Sequence, residues 1–171
     1  MAIRRIYNKR FKGINVRSGY IYKFKYQGWE NDPEPLAIIM YALEGLHPNT
    51  GHQWRFFQAI NFSYIPRSDR KRFAKEWVTL LEKTNNPRFT WEKVKSKYPY
   101  LENAVRRYFF RPNYYIKDLK EIPLEEIEKE IIGTYAKDFS KKVKSFLLSK
   151  FRGVLRRRQS FKRTGKFPPR R

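Results

Sequence analysis

Three neighbouring stretches limit what this chain can fold into. Tyr20, Tyr22, Phe24 and Tyr26 alternate with Ile21, Lys23 and Lys25, and Pro35 to Leu43 is an almost unbroken apolar run. Further on, Trp54, Phe56, Gln58, Ile60, Phe62 and Tyr64 alternate with Arg55, Phe57, Ala59, Asn61 and Ser63. A period of two is what a half-buried strand requires, and a short apolar run between turn residues fits a strand covered on both faces. The pattern predicts strands over 20–26, 35–43 and 54–64 that pair into a small twisted antiparallel sheet. With 171 residues, 40% of them hydrophobic and 18% aromatic, the chain can bury a core around that sheet as one domain.

The connections carry turn chemistry. Gly28 to Pro35 holds two prolines that remove backbone donors and bias their predecessors to extended conformations. The loop 45–52 holds both histidines, His47 and His52, but a Gly/Asn-rich loop with no cysteine and no nearby carboxylate is a poor metal scaffold, so no metal is expected. After Pro66, Ser68 suits a helix N-cap, and Phe73, Trp77, Leu80 and Leu81 fall on one helical stripe running to about Lys83. Asn85-Asn86-Pro87 breaks that helix, and Thr90 can cap a short one through Tyr98. Pro99 then suits the first turn of another, with Leu101, Ala104, Val105 and Tyr108 buried while Arg106 and Arg107 point outward. A fourth strand is predicted over 114–119. The acidic stretch Glu121, Glu125, Glu126, Glu128 and Glu130 has no histidine partner for acid-base work and reads as a solvated helix face. The class is therefore α+β, with helices between about 68 and 109 packed on the sheet.

Charge decides the kind of partner. Lysine and arginine number 39 against 16 acidic residues, net +23, so the chain repels itself and favours polyanions. No stretch approaches the ~20 apolar residues that span a bilayer, and Met1 to Arg5 opens no signal-peptide core, so no membrane partner is expected. The absence of cysteine removes thiolate and disulfide chemistry. There is no Gly-rich phosphate loop, no His-Glu-x-x-His and no nucleophile elbow. No catalytic residue, no cofactor and no enzymatic activity are expected.

The excess sits at the two ends. Residues 1–18 include Arg4, Arg5, Lys9, Arg10, Lys12 and Arg17 with no acid, either a phosphate-contacting arm or a leader pinned to the domain by its few apolar side chains. Residues 19–136 read as the globular domain. From 137 to 171 there are 14 basic residues against Asp138 alone, while Phe139, Val143, Phe146, Leu147, Phe151, Val154 and Leu155 recur near helical spacing. That combination predicts a basic amphipathic helix and tail. Nucleic acid is favoured over a membrane or an acidic groove because the opposite terminus is basic too. The residues expected to meet phosphate are Arg4, Arg5, Lys9, Arg10, Lys12, Arg70, Lys71, Arg106, Arg107, Lys141, Lys142, Lys144, Lys150, Arg152, Arg156, Arg157, Arg158, Lys162 and Arg163. Tyr20, Trp54 or Trp77 could stack on bases, although in strands and helix stripes such residues are usually core.

The rhythm of Gly19 to Tyr26, Asp32-Pro33-Glu34-Pro35-Leu36 before an aliphatic strand, and Ala59 to Pro66 before a helix resembles the DNA end protector family of large contractile-tailed bacteriophages. The likeness covers residues 19–80 and weakly 106–119. The family tends to have glycine and histidine around its Asn-x-x-Tyr-x-Pro segment, where this chain has Ala59 and Ser63. The resemblance implies an SH3-like barrel as the form of the sheet and a virion protein, present in the host cytoplasm before assembly. Double-stranded DNA at the packaged genome end would be its partner, and other virion proteins if its role is structural. A ribosome-like RNA-binding protein would share the charge. No helix aims Asn, Gln and Arg at base edges, so phosphate contact dominates the expectation. Scrambled duplexes should bind alike within several-fold; a preference of about a thousandfold for one sequence, typical of specific binders, would overturn this.

Overall fold

A computed structural model of the chain describes residues 4–6, 10–11, 14–46, 53–109, 116–141 and 145. Its frame is an antiparallel sheet whose central strand, β5 (Leu36–Leu46), is the apolar run. The alternating stretches become β4 (Ile21–Tyr26) and β6 (Gln53–Asn61), and the later strand β8 is Ile116–Glu121. Near the N-terminus lie β1 (Arg4–Ile6) and a small hairpin of β2 (Arg10–Phe11) with β3 (Ile14–Asn15). The order is β7-β6-β5-β4-β8, with β7 at Val105–Phe109, and β1 adds to β5 as a further neighbour. β4 pairs with β5 over Leu36 to Ile38, and β1 with β5 over Ala42 to Glu44. Of the two expected forms, this is the twisted open sheet. Among the described residues no pairing joins β7 to β8, and the SH3-like barrel is not borne out.

Helices α1 (Arg70–Thr84), α2 (Pro87–Lys97) and α3 (Ile127–Gly133) give the described residues an α+β fold, and Ser140, Lys141 and Ser145 are helical as well. Because side chains alternate along a strand, β5 feeds two cores. Leu36, Ile38 and Met40 join Ile60, Phe62, Phe73, Trp77, Val94 and Leu101 under the helices. Ala37, Ile39 and Ala42 face the other side with Tyr22, Phe24, Tyr26, Phe57 and Tyr108. On that side small alanines leave room for rings, and Tyr108 meets Phe24 and Tyr26 edge-on, each at 5.0 Å. A register shift between Ile39 and Tyr41 bends β5 where its neighbour changes from β4 to β1. Gly19, at φ +88°, turns the chain into β4, and its carbonyl accepts from Trp77 Nε1 at 2.7 Å. A side chain there would press on Leu81, so both the turn and the packing require glycine.

Several expectations shift in detail. β6 stops at Asn61, whose side chain accepts from Ser63 N and caps a 3₁₀ turn over Phe62–Tyr64. The α1 cap position is Asp69 rather than Ser68, and α2 starts at Pro87 behind Asn86, leaving Thr90 buried inside the helix. The helix expected from Pro99 to Tyr108 is a 3₁₀ turn, Pro99–Ala104, followed by β7. The free edge of β6 takes that segment, in register from Ile60↔Val105 to Phe56↔Phe109.

Arg70 requires the largest correction. Expected on an exposed helix face against phosphate, it has no exposed surface. Its Nε donates to Ile65 O at 3.0 Å, Nη1 to Thr134 O at 2.7 Å and Oγ1 at 3.1 Å, and Nη2 to Ser63 O at 3.3 Å and Lys137 O at 3.4 Å. Nη2 also stands 3.5 Å from Asp138 Oδ1. Burial pulls its pKa below the ordinary arginine value, and Asp138 opposes that shift. Removing one partner of such a set leaves buried carbonyls and a carboxylate unmatched. Arg70→Ala should therefore cost about 3–5 kcal/mol in denaturant unfolding, while Lys71→Ala, on the exposed face, should cost under ~0.5 kcal/mol. Equal costs for the two would contradict this account.

Candidate nucleic-acid interface

The net charge is distributed unevenly. Residues 19–136 hold nineteen basic against fifteen acidic residues, whereas residues 1–18 hold six basic and no acidic. Within the domain the acids are spent on neighbouring cations. Lys23 meets Glu130 at 2.9 Å, Lys25 meets Asp118 at 2.8 Å, Lys95 meets Glu102 at 2.7 Å and Lys97 meets Glu76 at 2.7 Å. Arg17 pairs with Glu121, and Lys120 and Lys71 lie 3.7 and 3.8 Å from Glu126 and Glu128. The acidic stretch is thus not only a solvated face: Glu121, Glu126, Glu128 and Glu130 neutralise cations brought to them by other elements. Exposed pairs like these add little stability but remove cations from contact with an outside polyanion.

The expected phosphate contacts separate accordingly. Arg4 and Arg5 sit in β1, opposite Glu44 and Leu43, and Arg10 sits in β2 opposite Asn15. The first arm is therefore tied to the sheet by backbone pairing. Lys71 is exposed beside Glu128, and Lys141 is exposed at the start of the C-terminal segment. Arg106 and Arg107 lie on β7, and neither is ion-paired with a carboxylate among the described residues. The Arg106 guanidinium stands 3.5 Å from the centre of the Tyr64 ring, and that of Arg107 stands 5.5 Å from the Phe56 ring. Lys9, Lys12, Lys142, Lys144, Lys150, Arg152, Arg156, Arg157, Arg158, Lys162 and Arg163 lie outside the described residues, as do His47 and His52. Of the aromatics considered for stacking, Trp77 is buried, Tyr20 lies beneath the Arg17 guanidinium at 3.8 Å, and Trp54 occupies β6 opposite Gly45.

The domain packs beyond residue 136. Phe139 N donates to Ser63 O at 2.7 Å, its ring lies 5.1 Å from Tyr64, and Lys137 Nζ donates to Glu34 O at 3.1 Å. Tyr64 also lines a cleft of about 270 Å³ between the 28–35 turn and β7. Among its lining residues are Trp29, Tyr26, Tyr64, Arg106, Arg107 and Phe109. The floor is polar and buried: Asn61 Nδ2 donates to Asp32 Oδ2 at 2.7 Å and to the Tyr108 hydroxyl at 2.6 Å. Gly28 lies so close to the Tyr26 ring that a Cβ would overlap it.

Trp29, Asp32, Asn61 and Phe109 were not among the site residues expected from the sequence. One signal existed for Trp29: a tryptophan inside a turn of Gly, Asn, Asp and Pro has no strand or helix stripe to bury it. Phe109 lay off the stripe of the helix expected there, which already marked it as exposed. Among the described residues no three of His, Asp and Glu come together as metal ligands, and no helix is long and apolar enough to cross a membrane. No family model, no curated protein and no solved structure matches the chain.

Burial and donation to Glu121 push the Tyr22 hydroxyl up to about 12 from an ordinary 10.0, and burial raises Tyr108 as well. A raised tyrosine pKa means that the native state holds protons which the unfolded chain releases. That contribution is complete below pH 10 and is lost as pH rises through about 12 for Tyr22. Denaturant midpoints should hold up to about pH 10 and fall above it. Tyr22→Phe should make the fall shallower, and an identical slope in the variant would refute the assignment.

Proposed function

We propose that this chain binds double-stranded DNA without sequence preference, through phosphates met by its terminal basic segments, and acts by binding without catalysis. One observation carries the reading: nineteen cations in residues 19–136 are largely offset by fifteen acids of the same stretch, while the excess is concentrated in terminal segments nearly free of acid. Neutralising phosphates releases condensed counterions, and that favours binding by such segments whatever the base sequence. A place in a phage particle, at or near the packaged genome end, follows from the resemblance over residues 19–80. A structural role in the head, neck or tail is the second reading. It is favoured by a groove between α1 and α3 lined by Val78, Leu124 and Ile127, with Leu124 exposed. A neighbouring subunit's apolar segment would suit that groove.

The test removes charge without removing the Arg70 contacts. Truncation after Lys141 takes away twelve basic residues and no acidic one. It should weaken duplex binding strongly and flatten the dependence of log K on log salt by about 0.9 for each phosphate that is no longer neutralised. An unchanged slope would remove the C-terminal segment from the DNA site. Exchanging Arg and Lys at Arg156, Arg157 and Arg158 should cost little, and glutamine there should weaken binding. If instead Phe146, Leu147, Phe151 and Leu155 changed to serine abolish assembly while the glutamine variant binds DNA normally, the structural reading prevails.

A further inference from the structure

We propose that Arg67 and Arg106 are two fixed contacts for the phosphodiester backbone of duplex DNA on the body of the domain, with Tyr135 and Tyr64 as the residues that position them. The inference rests on the DNA-binding reading and adds a part of the domain to the basic ends. Besides the buried Arg70, four arginines among the described residues stand over tyrosine rings. Arg106 lies 3.5 Å from the centre of Tyr64, Arg17 3.8 Å from Tyr20, Arg67 4.5 Å from Tyr135 and Arg72 5.4 Å from Tyr98. Two of the four spend the guanidinium on a carboxylate, Arg17 on Glu121 and Arg72 on Asp69. The other two do not. Exposed Arg67 makes no hydrogen bond or ion pair among the described residues, and half-buried Arg106 donates only from Nη1, to the Val105 carbonyl at 2.8 Å. A guanidinium that meets a ring with its face keeps its N–H edge, a rigid fork of donors that matches a phosphate.

The two rings are fixed by one interaction. Tyr64 and Tyr135 are half-buried, and both pack against the core under the helices. Tyr64 follows Ser63 and Tyr135 follows Thr134, and the carbonyls of Ser63 and Thr134 accept from Nη2 and Nη1 of Arg70. One buried guanidinium therefore anchors both platforms, and each platform carries a second guanidinium nearer solvent. Side chains placed in advance lose less entropy on meeting a phosphate than free ones do. The pairs also adjoin the source of attraction. Phe139, four residues after Tyr135, packs on Tyr64 at 5.1 Å, and beyond Asp138 the chain has no acidic residue. DNA bound by that acid-free segment is linked through a short stretch of chain to both arginines, which raises its effective concentration at them.

The experiment follows binding of the full chain to a labelled duplex of mixed sequence by fluorescence anisotropy over a range of salt. Arg67→Gln and Arg106→Gln should each weaken binding by about tenfold and lower the slope of log K against log salt by about 0.9. Arg88→Gln should change neither, because Arg88 is an exposed arginine of α2 with no ring contact or ion pair among the described residues. Tyr64→Leu and Tyr135→Leu should each weaken binding by about threefold, the worth of an exposed cation–π contact, whereas Tyr64→Phe and Tyr135→Phe keep the ring and should bind as the parent does. Arg67→Lys and Arg106→Lys keep the charge but lose the fork, so affinity should fall by about threefold at an unchanged slope. As a check that needs no variant to fold, duplex should protect Arg67 and Arg106 of the wild-type chain, but not Arg88, from phenylglyoxal, read by mass spectrometry. If the duplex binds while the Arg67 and Arg106 variants track Arg88→Gln and phenylglyoxal reacts equally with and without DNA, the fixed contacts are wrong and the terminal phosphate reading stands. If the chain binds no duplex, both fall together.

Discussion

The charge at the centre of this structure is one that never reaches solvent. Arg70 opens α1 with its guanidinium desolvated, and its donors are divided among carbonyls of three separate segments: the 3₁₀ turn after β6, the end of α3, and the start of the C-terminal segment. A planar fork with five N–H groups can do this where a lysine could not, because its geometry is rigid and its charge survives burial. The placements that follow are those on which the proposed interface depends. Ser63 is held, so Tyr64 is held, and Tyr64 carries Arg106 on its ring. Asp138 is drawn in to balance the charge, so Phe139 packs on Tyr64.

The sheet imposes a complementary constraint. β5 is covered on both faces, so each of its residues serves one core or the other, and a slip of one residue would exchange them. Alanines at 37, 42 and 59 and rings at Tyr22, Phe24, Tyr26, Phe57 and Tyr108 interlock on one face, while Ile38, Ile60, Phe73 and Trp77 fill the other. The shift at Met40 lets a single long strand change neighbours along one edge. The turn after β4 is bound into this arrangement by Asn61, which holds Asp32 with one amide hydrogen and Tyr108 with the other.

Much of the frame was legible because it is written in period. Alternation at 20–26 and 54–61 and the apolar run from Pro35 correspond to β4, β6 and β5, and the Phe73-Trp77-Leu81 stripe corresponds to the buried face of α1. What misled was a pattern with two solutions. Leu101, Ala104, Val105 and Tyr108 satisfy a helical stripe, yet a 3₁₀ turn followed by a five-residue strand buries Leu101, Ala104 and Tyr108 as well, and the unpaired edge of β6 decides between them. Arg70 was illegible for a different reason. Its partners are backbone carbonyls and Thr134, far along the chain, and an arginine among lysines on a helix carries no mark of burial. The cleft depended on residues that local patterns discount: a tryptophan in a turn, and an aspartate beside prolines.

Segregating charge in this way separates two demands that usually conflict. A body carrying the whole excess would raise its own folded-state repulsion while presenting the charge that binds. Here several of the body's cations are met by Glu76, Glu102, Asp118 and Glu130, so screening by salt should alter its stability little, whereas binding through terminal segments nearly free of acid should weaken steeply with salt. Under the proposed function, then, the attraction that salt screens and the packing that salt leaves alone lie in different parts of one chain: the first in the basic ends, the second in the two cores on either face of β5.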